Sequence, residues 1–387
     1  MLSACLIVKN EEPFLDGCLR SISTLVDEIV VVDTGSTDRS PSIARRHGAR
    51  VDHVPWRDDF AAARNHALDL AQGEWVLYID ADERVRRFSR RRLRTLLTDD
   101  AAVAHYVLLH PRPGFTPYWE LRLFRRDPLI RFEGIIHETI WPGIAAYQAR
   151  KGGRVGRSEV ILDHEGYEGD QHAKHLRNLP LLKKALRRDP SRVFSWCHLA
   201  QVHAALGHVR LAEKAWCAGL DQVRKKRELR ADDSLPYLGL IQWRASRSRN
   251  VDELIEEGLA YFPQNLQLRW FRGQALMTAG RLEEAICLFE TIVASGETGR
   301  WDHAIGYDAR LFTVLSLAPL ATCQFRLGRY AESRRHFERC ARHDPDNVEY
   351  RVKASVCAGL EESGLASRVP RRQLASRRPE STQWSRR

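Results

Sequence analysis

Much is absent from this chain, and each absence removes a class of chemistry. No apolar run reaches the roughly 20 residues that a membrane helix needs. The longest candidate, residues 311–325, contains Pro319 and reads as a buried helix. The N-terminus opens straight into a strand pattern, without a basic region and cleavage site, which argues against secretion. Cysteine occurs at eight positions but never as a CxxC pair, and most of the eight fall on the apolar side of helical patterns. A reduced, cytoplasmic protein with no metal at sulfur is therefore expected. Neither GxGxxG after the first strand nor GxxxxGK(S/T) occurs, so neither a dinucleotide cofactor nor ATP is expected.

What is present in excess is positive charge. The net charge of +11 points toward nucleic acid until its distribution is considered. Residues 365–387 hold seven Arg against one Glu, about half of the excess, in a stretch rich in Ser and Pro. That composition suggests a disordered tail. A second cluster places seven Arg within residues 84–94. It reads either as an exposed helix face or as a field that concentrates an anionic substrate. No nucleic-acid partner is expected. With 387 residues and 43% hydrophobic content, the chain suits two domains.

Residues 2–8 (LSACLIV), 29–32 (IVVV, ending at Asp33) and 75–79 (WVLYI) are apolar runs of strand length. Helical spacing separates them over 12–25, 40–47 and 60–71, with a further strand at 50–54. This alternation predicts an α/β domain with a parallel sheet covered on both faces. Ligands of such sheets bind beyond the carboxyl ends of the strands, which is where Asp80 and Asp82 fall. Two carboxylates there suit a divalent cation that completes its shell with diphosphate oxygens; the same residues also read as a plain polar turn. Past residue 100 the pattern shortens to strands at 103–109, 121–124, 130–132 and 160–162. A Pro-rich segment, 111–117, leads into Tyr118 and Trp119, which are either an acceptor platform or packing.

From His172 onward the pattern is all-helical, with helix–turn–helix character over 192–223, 235–262, 265–294 and 315–343. Gly207, Gly280 and Gly328 mark turns, with Ala212 and Ala285 five residues on and Ala331 three residues on. Helix pairs ending in Asp189-Pro190 and Asp344-Pro345 complete a degenerate tetratricopeptide pattern, whose stacked pairs leave a concave binding surface. An ordinary helical bundle is the alternative. The expected divisions are 1–170, 171–362 and a basic tail at 363–387.

Several motifs occur in a fixed order: LIVKNEE, VVDTGSTDRS, DDFAAARNHALDLAQGEWVLYIDADE, LRLFRR, FEGIIHE and LDHEGY. Together they resemble the inverting sugar transferases of glycosyltransferase family 2, whose nucleotide-diphospho-sugar transferase fold is called GT-A. With HAKHLRNLPLLKKALRRDP and the helical repeats, the chain is similar to a bacterial subgroup with a tetratricopeptide tail, relatives of the bacteriocin S-glycosyltransferases. The resemblance implies a nucleotide-sugar donor, a UDP-sugar in the first instance, and a divalent metal, Mn²⁺ or Mg²⁺. It places Val8, Lys9, Asp33, Asp59, Arg64, Asn65 and Asp80 around the donor, with Asp33 accepting from the base. Asp80, Asp82 and His164 become the metal residues, with Asp82 the direct ligand. Glu138 takes the place of the family's catalytic base, commonly an Asp, and Glu133 and His137 are the fallback bases.

Each assignment has a bland counterpart: Asp33 capping its own turn, Arg64 pairing with Asp59, His164 as a structural histidine. The expected function is a metal-dependent, inverting glycosyltransferase whose repeats hold a peptide or protein acceptor. One rival is a non-catalytic tetratricopeptide scaffold with a degenerate transferase domain. The other is a nucleotidyltransferase, which usually carries a Gly-rich basic loop where this chain has LIVKNEE.

Overall fold

The computed structural model describes residues 1–166 and 171–363. The basic tail placed at 363–387 lies, but for its first residue, outside them, as does Tyr167 of the LDHEGY motif. Strand β1 (Leu2–Val8) is buried along almost its whole length. Leu2, Ala4, Leu6 and Val8 enter one apolar layer and Cys5 the other, as the two-residue period of a strand requires. β2 (Glu28–Asp33), β3 (Arg50–His53) and β4 (Trp75–Tyr78) join it in parallel, in the order β3-β2-β1-β4. One face carries α1 (Glu12–Ile22) and α2 (Ser40–Arg46), through Leu15, Leu19, Ile22 and Ile43. The other carries α3 (Phe60–Leu70), through Ala61, Ala67 and Leu68.

The sheet is mixed, where the alternation predicts a parallel one. β5 (Glu83–Val85), β6 (Ala102–His110), β7 (Tyr118–Arg125) and β8 (Arg154–His164) extend it as β7-β6-β8-β5, with β7 antiparallel to β4 and to β6. The short link from His110 to Tyr118 explains this: it closes an antiparallel hairpin, whereas a parallel pair needs a crossover of a dozen residues or more. α4 (Arg90–Leu97) packs Leu93 onto the first layer and α5 (Trp141–Lys151) packs Ile144 onto the second. Residues 130–132, expected as a strand, form none. The backbone of Phe132 bonds the Asn65 side chain instead of a neighbouring strand.

Helices follow as α6 (Gln171–Arg188), α7 (Val193–Ala205), α8 (Val209–Lys225), α9 (Leu235–Ala245), α10 (Asp252–Tyr261) and α11 (Leu266–Thr278). After them come α12 (Leu282–Thr298), α13 (Val314–Arg326), α14 (Tyr330–His343) and α15 (Val348–Glu362). Gly207, Gly280 and Gly328 all take left-handed φ values, of 75°, 77° and 72°, which suit the turn between paired helices. Ala212 and Ala285 are fully buried behind these turns. In the third pair the small residue at the same offset of five is Ser333, also fully buried, with its hydroxyl donating to the Ala321 carbonyl at 2.8 Å. The repeat therefore keeps its register with Ser in place of Ala, and Ala331 at offset three is not its equivalent.

The described chain divides into two compact units, Met1–Arg272 with Gly299–Leu311, and Gly273–Thr298 with residues 312–363. Within the first, segment 299–311 runs beside the loop before β7. Thr116 N–H donates to the Tyr307 carbonyl and Trp119 N–H to that of His303, both at 2.8 Å. Trp119 itself lies between Arg157, 5.2 Å from its ring centre, and the His303 ring at 6.5 Å, so it is packed and not an open platform.

Candidate active site

Parallel pairing sets Val8 opposite Asp33 and Cys5 opposite Tyr78, so the carboxyl ends of β1, β2 and β4 lie side by side. The two loops that follow β1 and β2 are stitched together. Asn10 N–H donates to Ser36 Oγ (2.9 Å), Thr37 N–H to Asn10 Oδ1 (2.7 Å) and Glu11 N–H to Ser40 Oγ (2.8 Å). Val8 supplies the carbonyl that accepts from Thr34 N–H at 2.9 Å, and Lys9 is exposed at the rim. Asp33 is buried; its carboxylate accepts from Ser36 N–H (3.1 Å) and is 2.9 Å from His53 Nδ1. It thus carries the turn-capping bonds as well as its place at the strand end.

The DDFAAARNHA motif forms α3, and its polar residues point to three different tasks. Asp59 caps the helix, accepting from Ala62 N–H at 3.0 Å, and pairs with Arg188 at 3.5 Å. Asn65 clamps Phe132 in both directions: Nδ2 donates to its carbonyl (2.9 Å) and Oδ1 accepts from its N–H (2.8 Å). Arg64 is buried and bridges two carboxylates, donating to Asp80 Oδ1 at 2.7 Å and to Glu138 Oε1. Neither Asp59 nor solvent takes it up. Phe60 N–H adds a bond to the Ile135 carbonyl at 2.8 Å, so α3 holds the whole 132–138 segment against the strand ends.

Asp80 faces arginine on both oxygens, since Oδ2 lies 3.3 Å from Arg122 Nη1. Burial would raise its pKa, but the Arg64 and Arg122 guanidiniums hold it well below the usual carboxylate range. Arg122 is itself shared, reaching Glu83 at 2.7 Å and Glu120 at 3.1 Å. Glu83 is fully buried, and burial, with Asp80 and Glu120 competing for the same cation, pushes its carboxyl up to about 8.

Asp82 has a different setting. The β5–β8 ladder pairs Glu83 with His164 and brings Asp82 Oδ2 to 3.3 Å from His164 Nε2. Glu165 N–H donates to the Asp82 carbonyl at 2.8 Å, and a Cβ on Gly166 would collide with the Asp82 carboxylate, so only glycine fits there. Burial pushes the Asp82 carboxyl up, against the pull of His164, and pushes the His164 imidazole down. Glu11, at the end of the first loop, is raised to about 7 by burial and then by Asp82 and Asp80. Among the described residues no three His, Cys, Asp or Glu side chains are arranged to hold a metal. Of the three expected metal residues, Asp82 and His164 come together while Asp80 turns to the arginines.

Of the candidate bases, Glu138 is nearly buried, and only its Oε1 is engaged by Arg64. Glu133 is exposed, with its backbone paired to Thr139. The His137 ring stacks on His198 at 4.0 Å and meets Phe194 edge-on at 5.4 Å. Sequence reasoning gave no role to Glu11, Glu83 or Arg122, although all three lie inside quoted motifs; a charged residue within a run destined for burial was the available signal. The arginine cluster after the acidic pair is largely ion-paired. Arg84 donates to the Phe14 and Ala81 carbonyls, Arg86 pairs with Asp163 at 2.6 Å, and Arg90 and Arg94 share Asp27.

Comparison with known proteins agrees with this architecture. Residues 3–154 match the family model described as Glycosyl transferase family 2, and residues 238–300 match a tetratricopeptide repeat model. A TPR repeat-containing protein of Synechococcus elongatus is 35% identical over 250 residues, covering 63% of this chain and 62% of its own. The prophage-derived glycosyltransferase SunS of Bacillus subtilis is 27% identical over 196 residues, 48% of this chain and 45% of its own. The chain thus spans about half to two thirds of the length of these relatives. A mannosyltransferase from Pyrobaculum calidifontis, solved with GDP-Man and Mn²⁺, is 21% identical with a TM-score of 0.37, covering 68% of this chain and 86% of that one.

Proposed function

We propose that this chain, whose first domain belongs to glycosyltransferase family 2, transfers a sugar with inversion from a nucleotide-diphospho-sugar to a peptide or protein acceptor. The supporting observation is one linked set at the strand ends: the Asp82–His164 pair, Asp80 beside it, and Glu138 joined to Asp80 through Arg64. A UDP-sugar is the donor that the family resemblance favours. The tetratricopeptide region supplies a surface suited to an extended partner.

The donor set present fits a divalent cation. Asp82 and His164 offer an oxygen and a nitrogen ligand side by side, and burial and mutual repulsion raise the Asp82 and Glu11 carboxyls despite the pull of His164 and Arg177. A cation held by two side chains would complete its shell with diphosphate oxygens. When bound it supplies Lewis-acid stabilisation of the departing diphosphate. Asp80 acts differently, as the anion that fixes Arg64 and Arg122. Glu138 takes the acceptor's proton on Oε2 while Arg64 holds Oε1, and the acceptor atom attacks the sugar carbon as the bond to the diphosphate breaks.

Calorimetry with UDP-glucose, with and without Mn²⁺, tests the donor half. Binding should require the cation and be lost in Asp82→Asn; binding that ignores both chelator and substitution would remove the metal from the mechanism. Glu138→Gln should keep donor binding and lower turnover on the order of 10²–10⁴-fold, the usual effect of removing a general base. Full turnover in that variant would move the role to Glu133 or His137.

A further inference from the structure

The segment that carries Glu138 is held from two sides. α3 provides one; the entry into α7 provides the other. Arg192, the residue before α7, donates from Nη2 to the His137 carbonyl, and its guanidinium lies so close over Gly134 that a Cβ there would collide with it. One and a half turns into α7, the His198 ring stacks on the His137 ring at 4.0 Å with 27° between planes, and Phe194 fits edge-on at 5.4 Å. The held segment needs this support. Its Gly134 has φ +106° and His137 has φ +52°, and a side-chain-bearing residue in the left-handed region costs about 1 kcal/mol or more. Such a conformation persists only where its surroundings over-determine it, and His137 is the immediate neighbour of Glu138.

We propose that Arg192 and His198 are positioning residues for Glu138, so that the first helix of the repeat region forms part of the catalytic framework and is not merely an acceptor dock. This rests on the reading of Glu138 as the base. Face-to-face stacking favours neutral rings, and the setting works the same way: burial, then the neighbouring histidine, holds His137 well below the usual range, and burial, then Arg192, holds His198 down at about 4. Arg192 contributes what a ring cannot, a charged donor aimed at a carbonyl whose backbone angle is unfavourable. Loss of either contact lets residues 133–139 relax toward ordinary backbone, and a shift of about 1 Å in a reacting group costs on the order of 100-fold.

The test uses the full chain in the forms wild type, Arg192→Ala, Arg192→Lys and His198→Ala. Two readouts are taken: amide hydrogen exchange of residues 133–139, and kcat and KM for hydrolysis of UDP-glucose with Mn²⁺. Arg192→Ala should speed exchange in 133–139 by about tenfold or more while residues 28–33 and 75–78 stay protected. Its kcat should fall roughly 10–100-fold with KM unchanged, and Arg192→Lys should recover part of both effects. His198→Ala, which leaves the Arg192 contact intact, should show the same signature more weakly and serves if Arg192→Ala does not fold. Unchanged exchange in both variants overturns the proposal whatever the turnover. Faster exchange with unchanged kcat overturns its catalytic half, provided that Glu138→Gln is inactive. If Glu138→Gln turns over normally, or wild type does not hydrolyse UDP-glucose, the functional reading fails, and the exchange measurement still decides whether Arg192 and His198 brace the segment.

Discussion

Replacing Glu11 with Gln should stabilise the protein at neutral to alkaline pH and leave it unchanged in mild acid. Glu11 stands half-buried at the end of the β1 loop, its backbone tied to Ser40, with Asp82 and Asp80 as its charged neighbours and Arg177 the nearest opposing cation. Burial first, and the two aspartates next, raise its carboxyl to about 7, against roughly 4.3 in an unfolded chain. Between those values the folded protein holds a proton that the unfolded chain has released, so stability falls as pH rises through this window and the whole penalty is present above about pH 7. That difference, about 2.7, corresponds to about 3.7 kcal/mol. The side chain keeps solvent contact, so screening reduces this to about 1–2 kcal/mol. Gln preserves length and hydrogen bonding without the charge. Urea unfolding of both proteins at about pH 8 and about pH 4.5 should therefore give a gap of that size at the higher pH and almost none at the lower. Saturating Mn²⁺ should narrow the gap at pH 8, because a cation at Asp82 and His164 relieves the same repulsion. A variant less stable than wild type at pH 8 would refute the reasoning, since it would mean that Arg177 already outweighs the aspartates.

Asn65→Leu removes both bonds to the Phe132 backbone and leaves its buried N–H and carbonyl unmatched; a loss of about 2–4 kcal/mol is expected, read as a lower urea midpoint with an unchanged slope. Gly166→Ala drives a methyl group into the Asp82 carboxylate and should weaken Mn²⁺-dependent donor binding in calorimetry while leaving the melting temperature within a few degrees of wild type. Ser333→Val forces an extra methyl group into a fully buried site and removes the bond to Ala321; it should cost about 1–3 kcal/mol by denaturant unfolding without changing donor binding.

How much of this was legible in the sequence depended on the range of the information. Three of the four parallel strands were legible as apolar runs, and the acidic pair because it ends one of them; the fourth, RVDH at 50–53, is polar and was legible only from its place in the alternation. The antiparallel half was less so. Residues 130–132 look like a strand by composition, yet their backbone bonds are met by Asn65, a side chain 67 positions earlier whose role no local pattern announces. The repeat turns were legible from Gly207, Gly280 and Gly328, while the equivalence of Ser333 with Ala212 and Ala285 needed burial to reveal it. Trp119 could be read as platform or packing until segment 299–311 was seen beside it.

The site was legible as a set of residues and not as a set of pairs, and the pairs are where its chemistry resides. Asp80 and Asp82 are indistinguishable in the sequence, two residues apart on one turn, yet they occupy opposite electrostatic settings. Asp80 is held ionised between Arg64 and Arg122, whereas Asp82 and Glu11 are pushed up with only His164 and distant cations to offset them. A half-buried carboxylate already flanked by two guanidiniums gains little from a metal, and one left with surplus charge gains much. The same reasoning divides the arginines. Arg64 gives Nε to Glu138 and Nη2 to Asp80, so a diphosphate arriving at either of these atoms would displace a carboxylate. If Arg64 did release Glu138, the carboxylate would be freed as a proton acceptor at the moment the donor's charge arrived. Donor binding that strengthens in Glu138→Gln, where the competing ion pair is weakened, would be the signature of that exchange; equal or weaker binding would keep Arg64 as a fixed strut between the two acids.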